Sequence, residues 1–312
     1  MGDVNRDGWK AAIALAPAAI LLLIFTFFPI INTVTMSFME NFKIAKGAGI
    51  FAINNAFTGI GFQGYIDVLR DKTFTDALLN TLILVVVSVP LTIIIALFMA
   101  VALNSIKKLQ GLYQTIFFLP YVTNTIALGM VFGAMFGSVD TGLINQIIKA
   151  FGGTPKDWTT MNALKWDSFW VIIIYTVWNG LAFKILVFMS GLQSIDKQYY
   201  DAARIDGTSK KRILWKITIP LLSPQILYIT ITSFIGAFKA YTGIISVFGR
   251  GAYDFGGAGD DWITVVGYIY KQMKTAGPGQ YTKASAGAVI LLIIILACTG
   301  IQNLVAKKRV HY

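Results

Sequence analysis

The chain has almost none of the residues from which enzyme centres and disulfide frameworks are built. Of 312 residues one is cysteine, Cys298, and one is histidine, His311. A single thiol excludes an intrachain disulfide and a CxxC metal site. A single histidine at the penultimate position excludes histidine-built zinc centres and a buried Ser-His-Asp triad. No Gly-Lys dipeptide occurs, so the GxxxxGK[ST] loop that cradles nucleotide phosphates is absent and the chain is not an ATPase by that route. Charge is scarce too: 13% of residues are charged, against roughly 25% in ordinary soluble domains.

What is present is hydrocarbon. The chain is 56% hydrophobic with a mean hydropathy of +0.67, the composition of a polytopic membrane protein. A charge at the centre of a span costs about 2.5–3.5 kcal/mol on insertion scales, so uncharged runs of about 20 residues locate the crossings. Six are expected, at about 11–38, 77–106, 110–138, 168–192, 221–248 and 284–306, with Lys184 and Lys239 the two charges inside them. They are apolar on every face and read as one all-α membrane domain over 1–312. The first is an uncleaved helix rather than a signal peptide, because its flank is charge-balanced (Asp3, Arg6, Asp7, Lys10) and no small-x-small site precedes Pro29. Cys298 falls in the last span as a small packing residue.

The net charge of +11 would suggest nucleic acid in a soluble protein; here it follows the excess of basic residues in cytoplasmic loops. The two termini, the second loop and the fourth loop (Lys197, Arg204, Lys210, Lys211, Arg212, Lys216) carry +8 together, and the alternate segments +1. Both termini and the loop at about 193–224 are therefore expected in the cytoplasm. A GxGxxG string, Gly59 to Gly64, falls in an outer loop without a βαβ unit and reads as a turn-rich loop rather than a dinucleotide site. None of the fifteen acids lies mid-span, which argues against a carrier or channel driven by an ion gradient.

The fourth loop reads as two short helices with a break. Asp196 can cap the first, Gly207 can close it in the left-handed conformation, and Thr208 or Ser209 can cap a second from Lys210 to about Ile219, stopped by Pro220 and Pro224. Tyr199, Ala202, Ala203 and Asp206 share one face of the first helix, with alanines small enough to admit another surface.

Tyr200-Asp201-Ala202-Ala203-Arg204-Ile205-Asp206-Gly207, followed by Ile217-Thr-Ile-Pro220, resembles the EAA signature, EAAxxDGA with a downstream IxLP, of the permease subunits of binding-protein-dependent ABC importers. Gly61 to Tyr65 with Phe74 and Asn80-Thr81, Leu119-Pro120-Tyr121, Phe234 to Tyr241, and Tyr268-Ile269-Tyr270 are similar to segments of the carbohydrate-uptake branch, which holds maltose-type and glycerol-phosphate-type permeases. Asp201 stands for the usual Glu, Thr208 for Ala and Ile213 for an aromatic. Gly256-Gly257-Ala258-Gly259 stands near a GGP segment but lacks its proline.

The resemblance implies a type I importer fold of six helices and no covalent chemistry or cofactor on this chain. ATP and Mg would sit on a cytosolic ABC ATPase dimer, coupled through Tyr200, Asp201, Ala202, Ala203, Asp206, Gly207 and Pro220. It also implies a second homologous permease, an extracytoplasmic solute-binding protein, a lipid surround, and the cytoplasmic (inner) membrane of a bacterium or archaeon. Within that frame the solute path draws on polar groups inside spans: Asn124, Trp178, Asn179, Lys239 and Tyr241.

Overall fold

A computed structural model describes residues 8–43, 57–106, 110–137, 139–159, 163–248, 261–275 and 277–309. The Gly256–Gly259 segment lies outside them, as do residues 51–56 of the first outer loop. In chain order the elements are α1 (Gly8–Phe38), β1 (Met39–Glu40), β2 (Gly59–Ile60), α2 (Gln63–Arg70), α3 (Lys72–Ser105), α4 (Gln110–Val122), α5 (Thr125–Met135) and α6 (Leu143–Ala150). They continue as α7 (Lys165–Ser194), α8 (Lys197–Ile205), α9 (Lys210–Leu221), α10 (Ser223–Phe238), α11 (Thr242–Phe248), α12 (Val265–Lys274) and α13 (Gln280–Arg309).

Four helices, α1, α3, α7 and α13, are each long and apolar enough to cross a membrane. Two bent pairs bring the number to six when each pair is taken as one span: α4 with α5, turned by 96°, and α9 with α10, turned by 66°. The first bend falls inside the expected span 110–138, and the second falls at Leu222, where the 193–224 loop meets the expected span 221–248. The turn between α4 and α5 falls at Asn124, whose backbone leaves the helical region (ψ 120°) and whose side-chain oxygen accepts from the N–H groups of Ile126 and Ala127. A cap of this kind satisfies donors that hydrocarbon would leave bare. The expected span 221–248 is interrupted at Lys239, where α10 ends.

Proline acts differently from expectation. Pro220 does not stop the second helix of the fourth loop, which runs on to Leu221 through a π-turn at Leu214–Thr218. The N–H of Ile219, just before the proline, reaches five residues back to Leu214. In α1 the N–H of Phe28, just before Pro29, likewise reaches back to Leu23. Widening the turn removes the clash between the pyrrolidine ring and the carbonyl four residues earlier, so the helix survives.

The chain divides into two compact units, Met1–Phe74 with Tyr268–Leu292, and Thr75–Gly267 with Ile293–Tyr312. In the first, β1 and β2 pair antiparallel, Met39 opposite Ile60. The Gly59–Gly64 string is thus a ribbon edge and turn leading into α2, not a parallel dinucleotide fold. Thr282 ties the ribbon to α13 by donating to the Met39 carbonyl (2.6 Å) and accepting from the Phe42 N–H (3.1 Å). Ser37 of α1 and Tyr65 of α2 share a hydroxyl bond of 2.6 Å. Tyr268 is fully buried against the Phe74 ring (5.3 Å) and donates to Asp71 at 2.8 Å. Burial, and then its bond to the Asp71 carboxylate, push this phenol above the usual tyrosine range, so it remains a donor. The residues of α1 from Gly8 to Leu22 are all outside any core, as lipid-facing apolar side chains are in a chain whose solvent is hydrocarbon.

The second unit is held by small residues and pinned polar groups. Ala96 and Ala100 of α3 are fully buried and admit Ile185, Phe188, Met189 and Leu192 of α7, with Leu222 and Ile229 closing the cluster. Close approach of this kind replaces the hydrophobic drive that lipid cannot supply. Gly129 and Gly133 of α5 lie against α11, where a Cβ would fall 1.8 Å from Ser246 Oγ and 2.2 Å from the Val247 carbonyl oxygen. Trp262 is completely buried beside Phe169 and donates its indole N–H to the Lys165 carbonyl at 2.9 Å. Asn80 donates to the carbonyls of Asp261 and Ile263, and Thr81 accepts from the Val265 N–H.

Candidate functional site: a coupling hairpin and a polar cavity

The loop between α7 and α10 folds as a rigid hairpin of two helices. Asp196 begins α8 by accepting from the Gln198 N–H at 2.9 Å. Gly207, at φ +63°, ends it. The Thr208 N–H bonds the Ala203 carbonyl at 2.9 Å and the Gly207 N–H the Arg204 carbonyl at 3.1 Å, the paired closing bonds of a Schellman turn. Of the two candidate caps for α9 it is Ser209 that accepts, from the Arg212 N–H. Tyr200 reaches across to Thr218, hydroxyl to hydroxyl at 3.3 Å, and fastens α8 to the π-turn of α9.

The angle so held opens a cleft of about 580 Å³, lined by Tyr199, Ala202, Ala203 and Asp206 from α8 and by Arg212 and Lys216 from α9. Ala202 is open to solvent, whereas Ala203 is 5% exposed, so its small size serves the packing of α8 within this chain. Asp201 is outside the cleft and pairs with Arg204 at 3.1 Å. Both partners are largely exposed and the pair adds little to stability. Pro220, beyond the cleft, borders an apolar groove with Ile301 and Val305 of α13.

A second concavity, about 470 Å³, opens within the helices of the second unit and is lined from α3, α5, α7, α10, α11 and the break between the last two. It brings together Asn179, Lys184, Lys239 and Tyr241 with a set of hydroxyls, among them Ser88, Thr92 and Thr125. Lys184 folds back along α7, its ammonium donating to the Gly180 carbonyl at 3.1 Å. A Cβ on Gly180 would sit 3.1 Å from that Nζ, so the absent side chain leaves room for the ammonium. Among the described residues there is no group of His, Cys, Asp and Glu able to hold a metal.

Residues 57–311 match the family described as "Binding-protein-dependent transport system inner membrane component". The chain belongs to that family. It is 32% identical over 98% of its length to the lactose transport system permease protein LacF of Rhizobium radiobacter, covering 95% of that protein. It is 31% identical over 96% of its length to the arabinooligosaccharides transport system permease protein AraP of Bacillus subtilis (strain 168), covering 91% of it. In fold it is similar to a chain of a bacterial alginate ABC transporter solved with an alginate-bound periplasmic protein: TM-score 0.81, 20% identity, 98% of this chain and 96% of that one. The fold is that of a type I importer permease, and the chain is a transport subunit rather than an enzyme.

The permease places its sequence-derived candidates unevenly. Asn179, Lys239 and Tyr241 line the cavity. Asn124 does not, because its oxygen is committed to capping α5, and Trp178 stands against the Phe132 ring at 5.2 Å instead. Lys184, which sequence reasoning left out of the candidate set, lines the cavity as well. The hydroxyl lining was also missed. Ser88 and Thr92 are one helical turn apart, a spacing visible in the sequence, but such pairs occur in spans for backbone bonding alone, as Thr92 to the Ser88 carbonyl does at 2.6 Å.

Proposed function

We propose that this permease admits a carbohydrate or related polar solute, handed over by an extracytoplasmic binding protein, into the cytosol of a bacterium or archaeon. Work comes from ATP and Mg held on a cytosolic ABC ATPase dimer that grips the 193–224 hairpin. The observation that carries the reading is the cleft of that hairpin, whose angle is set by the Gly207 turn and the Tyr200–Thr218 bond. A rigid groove between two short helices transmits a push that a flexible loop would absorb. Ala202 and Tyr199 present the open face to the ATPase, Asp201 and Asp206 supply charge to it, and Ala203 and Pro220 shape the hairpin from within. A second, related permease completes the pathway across the inner membrane, with both termini in the cytosol and lipid around the spans.

The carbohydrate class is supported by the relatives named for lactose and arabinooligosaccharide transport, matched over nearly the whole chain. The chemistry of the cavity agrees: its hydroxyls and amide, beside Lys184 and Lys239, are the partners a polyol needs. The test is to tag the C-terminus, extract the chain from its native membrane in mild detergent, and identify its companions by mass spectrometry. A P-loop ATPase and a second permease are expected, with the ATPase lost on Gly207→Val. A homo-oligomer without an ATPase would refute the proposal.

A further inference from the structure

The polar cavity carries two ammonium groups and no carboxylate. Lys184 enters from α7 and Lys239 from the break after α10, and no Asp or Glu is in the lining. Among the described residues neither lysine has an ion-pair partner; the only protein acceptor recorded for Lys184 is the Gly180 carbonyl. The amide of Asn179 is likewise without a protein partner among the described residues.

Charges inside a membrane segment are costly and are kept where a partner compensates them. Both lysines line one cavity whose lining holds no countercharge, and an anion bound there would supply it. Lys184 lies back along α7 with its ammonium on the Gly180 carbonyl, and in that position it lines the cavity.

We infer that this cavity takes an anionic saccharide, its carboxylate or phosphate bridged by Lys184 and Lys239 while Asn179 bonds a ring hydroxyl. The inference rests on the carbohydrate reading above and narrows it. Charge-assisted bonds to an anion are stronger than bonds to a neutral hydroxyl. The same two ammonium groups, left unneutralised, penalise a neutral sugar of the same size.

The test uses the complete importer, with its own ATPase, partner permease and binding protein, in proteoliposomes supplied with ATP. A mixed digest is presented: uronate oligosaccharides from pectin and alginate, hexose phosphates, and neutral oligosaccharides from starch and arabinan. The accumulated solutes are identified by mass spectrometry. Accumulation of a uronate or of a sugar phosphate is expected and tells the two anion sources apart. Lys184→Met and Lys239→Met are each expected to lower that uptake about tenfold, with Lys→Arg retaining most of it. Accumulation of neutral oligosaccharides in preference to both anions overturns the inference and leaves the carbohydrate reading standing. Accumulation of none of them overturns both. Where a methionine variant fails to assemble, the wild-type preference and the arginine variants still decide. Equal uptake loss for anionic and neutral solutes in the methionine variants also counts against it.

Discussion

Replacing Gly207 separates backbone geometry from side-chain contact. The residue sits at φ +63°, and a Cβ built there meets nothing within 4 Å. A side chain therefore adds no clash within the chain, and the whole penalty is conformational. An L-residue held left-handed costs about 1–2 kcal/mol, less for Asn, whose short amide bonds locally, and most for a β-branched residue. That shifts the equilibrium of the turn by about 5- to 30-fold against the angle observed between α8 and α9. The expected order of binding-protein-stimulated ATP hydrolysis, measured on the full importer in nanodiscs, is Gly, then Asn close behind, then Ala, then Val nearly uncoupled. Membrane insertion, read from yield and gel filtration, is unaffected, because the strain is confined to an exposed turn. Full stimulation by Gly207→Val would show that the turn does not set the lever. Loss in Gly207→Asn equal to that in Gly207→Val would mean that the bare backbone of Gly207 is itself a contact for the ATPase, and the strain argument would fall.

Two further substitutions address the packing. Gly133→Ala drives a methyl to 2.2 Å from the Val247 carbonyl oxygen, which belongs to backbone and cannot rotate away. A loss of about 1–3 kcal/mol is expected, read as a lower melting temperature in detergent, and an unchanged melting point would contradict the close approach of α5 and α11. Tyr268→Phe removes the donor to Asp71 inside the first unit and should cost about 1–3 kcal/mol. The phenol's raised pKa has a definite sign. Folding favours the protonated form, so the contribution is complete below about pH 10, the unfolded value, and declines as pH rises above it. The stability gap between wild type and Tyr268→Phe should narrow in that alkaline range. A gap that widens would reverse the assignment of Tyr268 as donor.

Much of the architecture was written in short-range features. A run of twenty residues without charge has one low-energy environment, so α1, α3, α7 and α13 could be placed from composition alone. The hairpin was equally local: Asp196, Gly207 and Ser209 act on backbone groups within five residues of themselves. Proline was misread because its missing N–H was weighed without the π-turn that accommodates it, and that turn depends on where the helix must go next. Asn124 shows a related ambiguity, since its oxygen caps α5. A polar side chain in a span signals an unmet need, and the sequence does not say whether the need is a solute's or the backbone's own.

Charge, length and capping within a few residues fix the apolar runs, their number, their expected orientation and the break in the 193–224 hairpin. Which side chains meet is a matter of packing between distant segments. Elements distant in sequence put Lys184 and Lys239 into one cavity with Asn179, turn Trp178 onto Phe132, and bury Ala203 while leaving Ala202 open. The physical reason is that lipid gives the two faces of an apolar helix nearly the same energy. Hydropathy therefore cannot rank those faces, and the inward side is chosen by packing between helices: small residues, fixed hydrogen bonds and the shape of the neighbour.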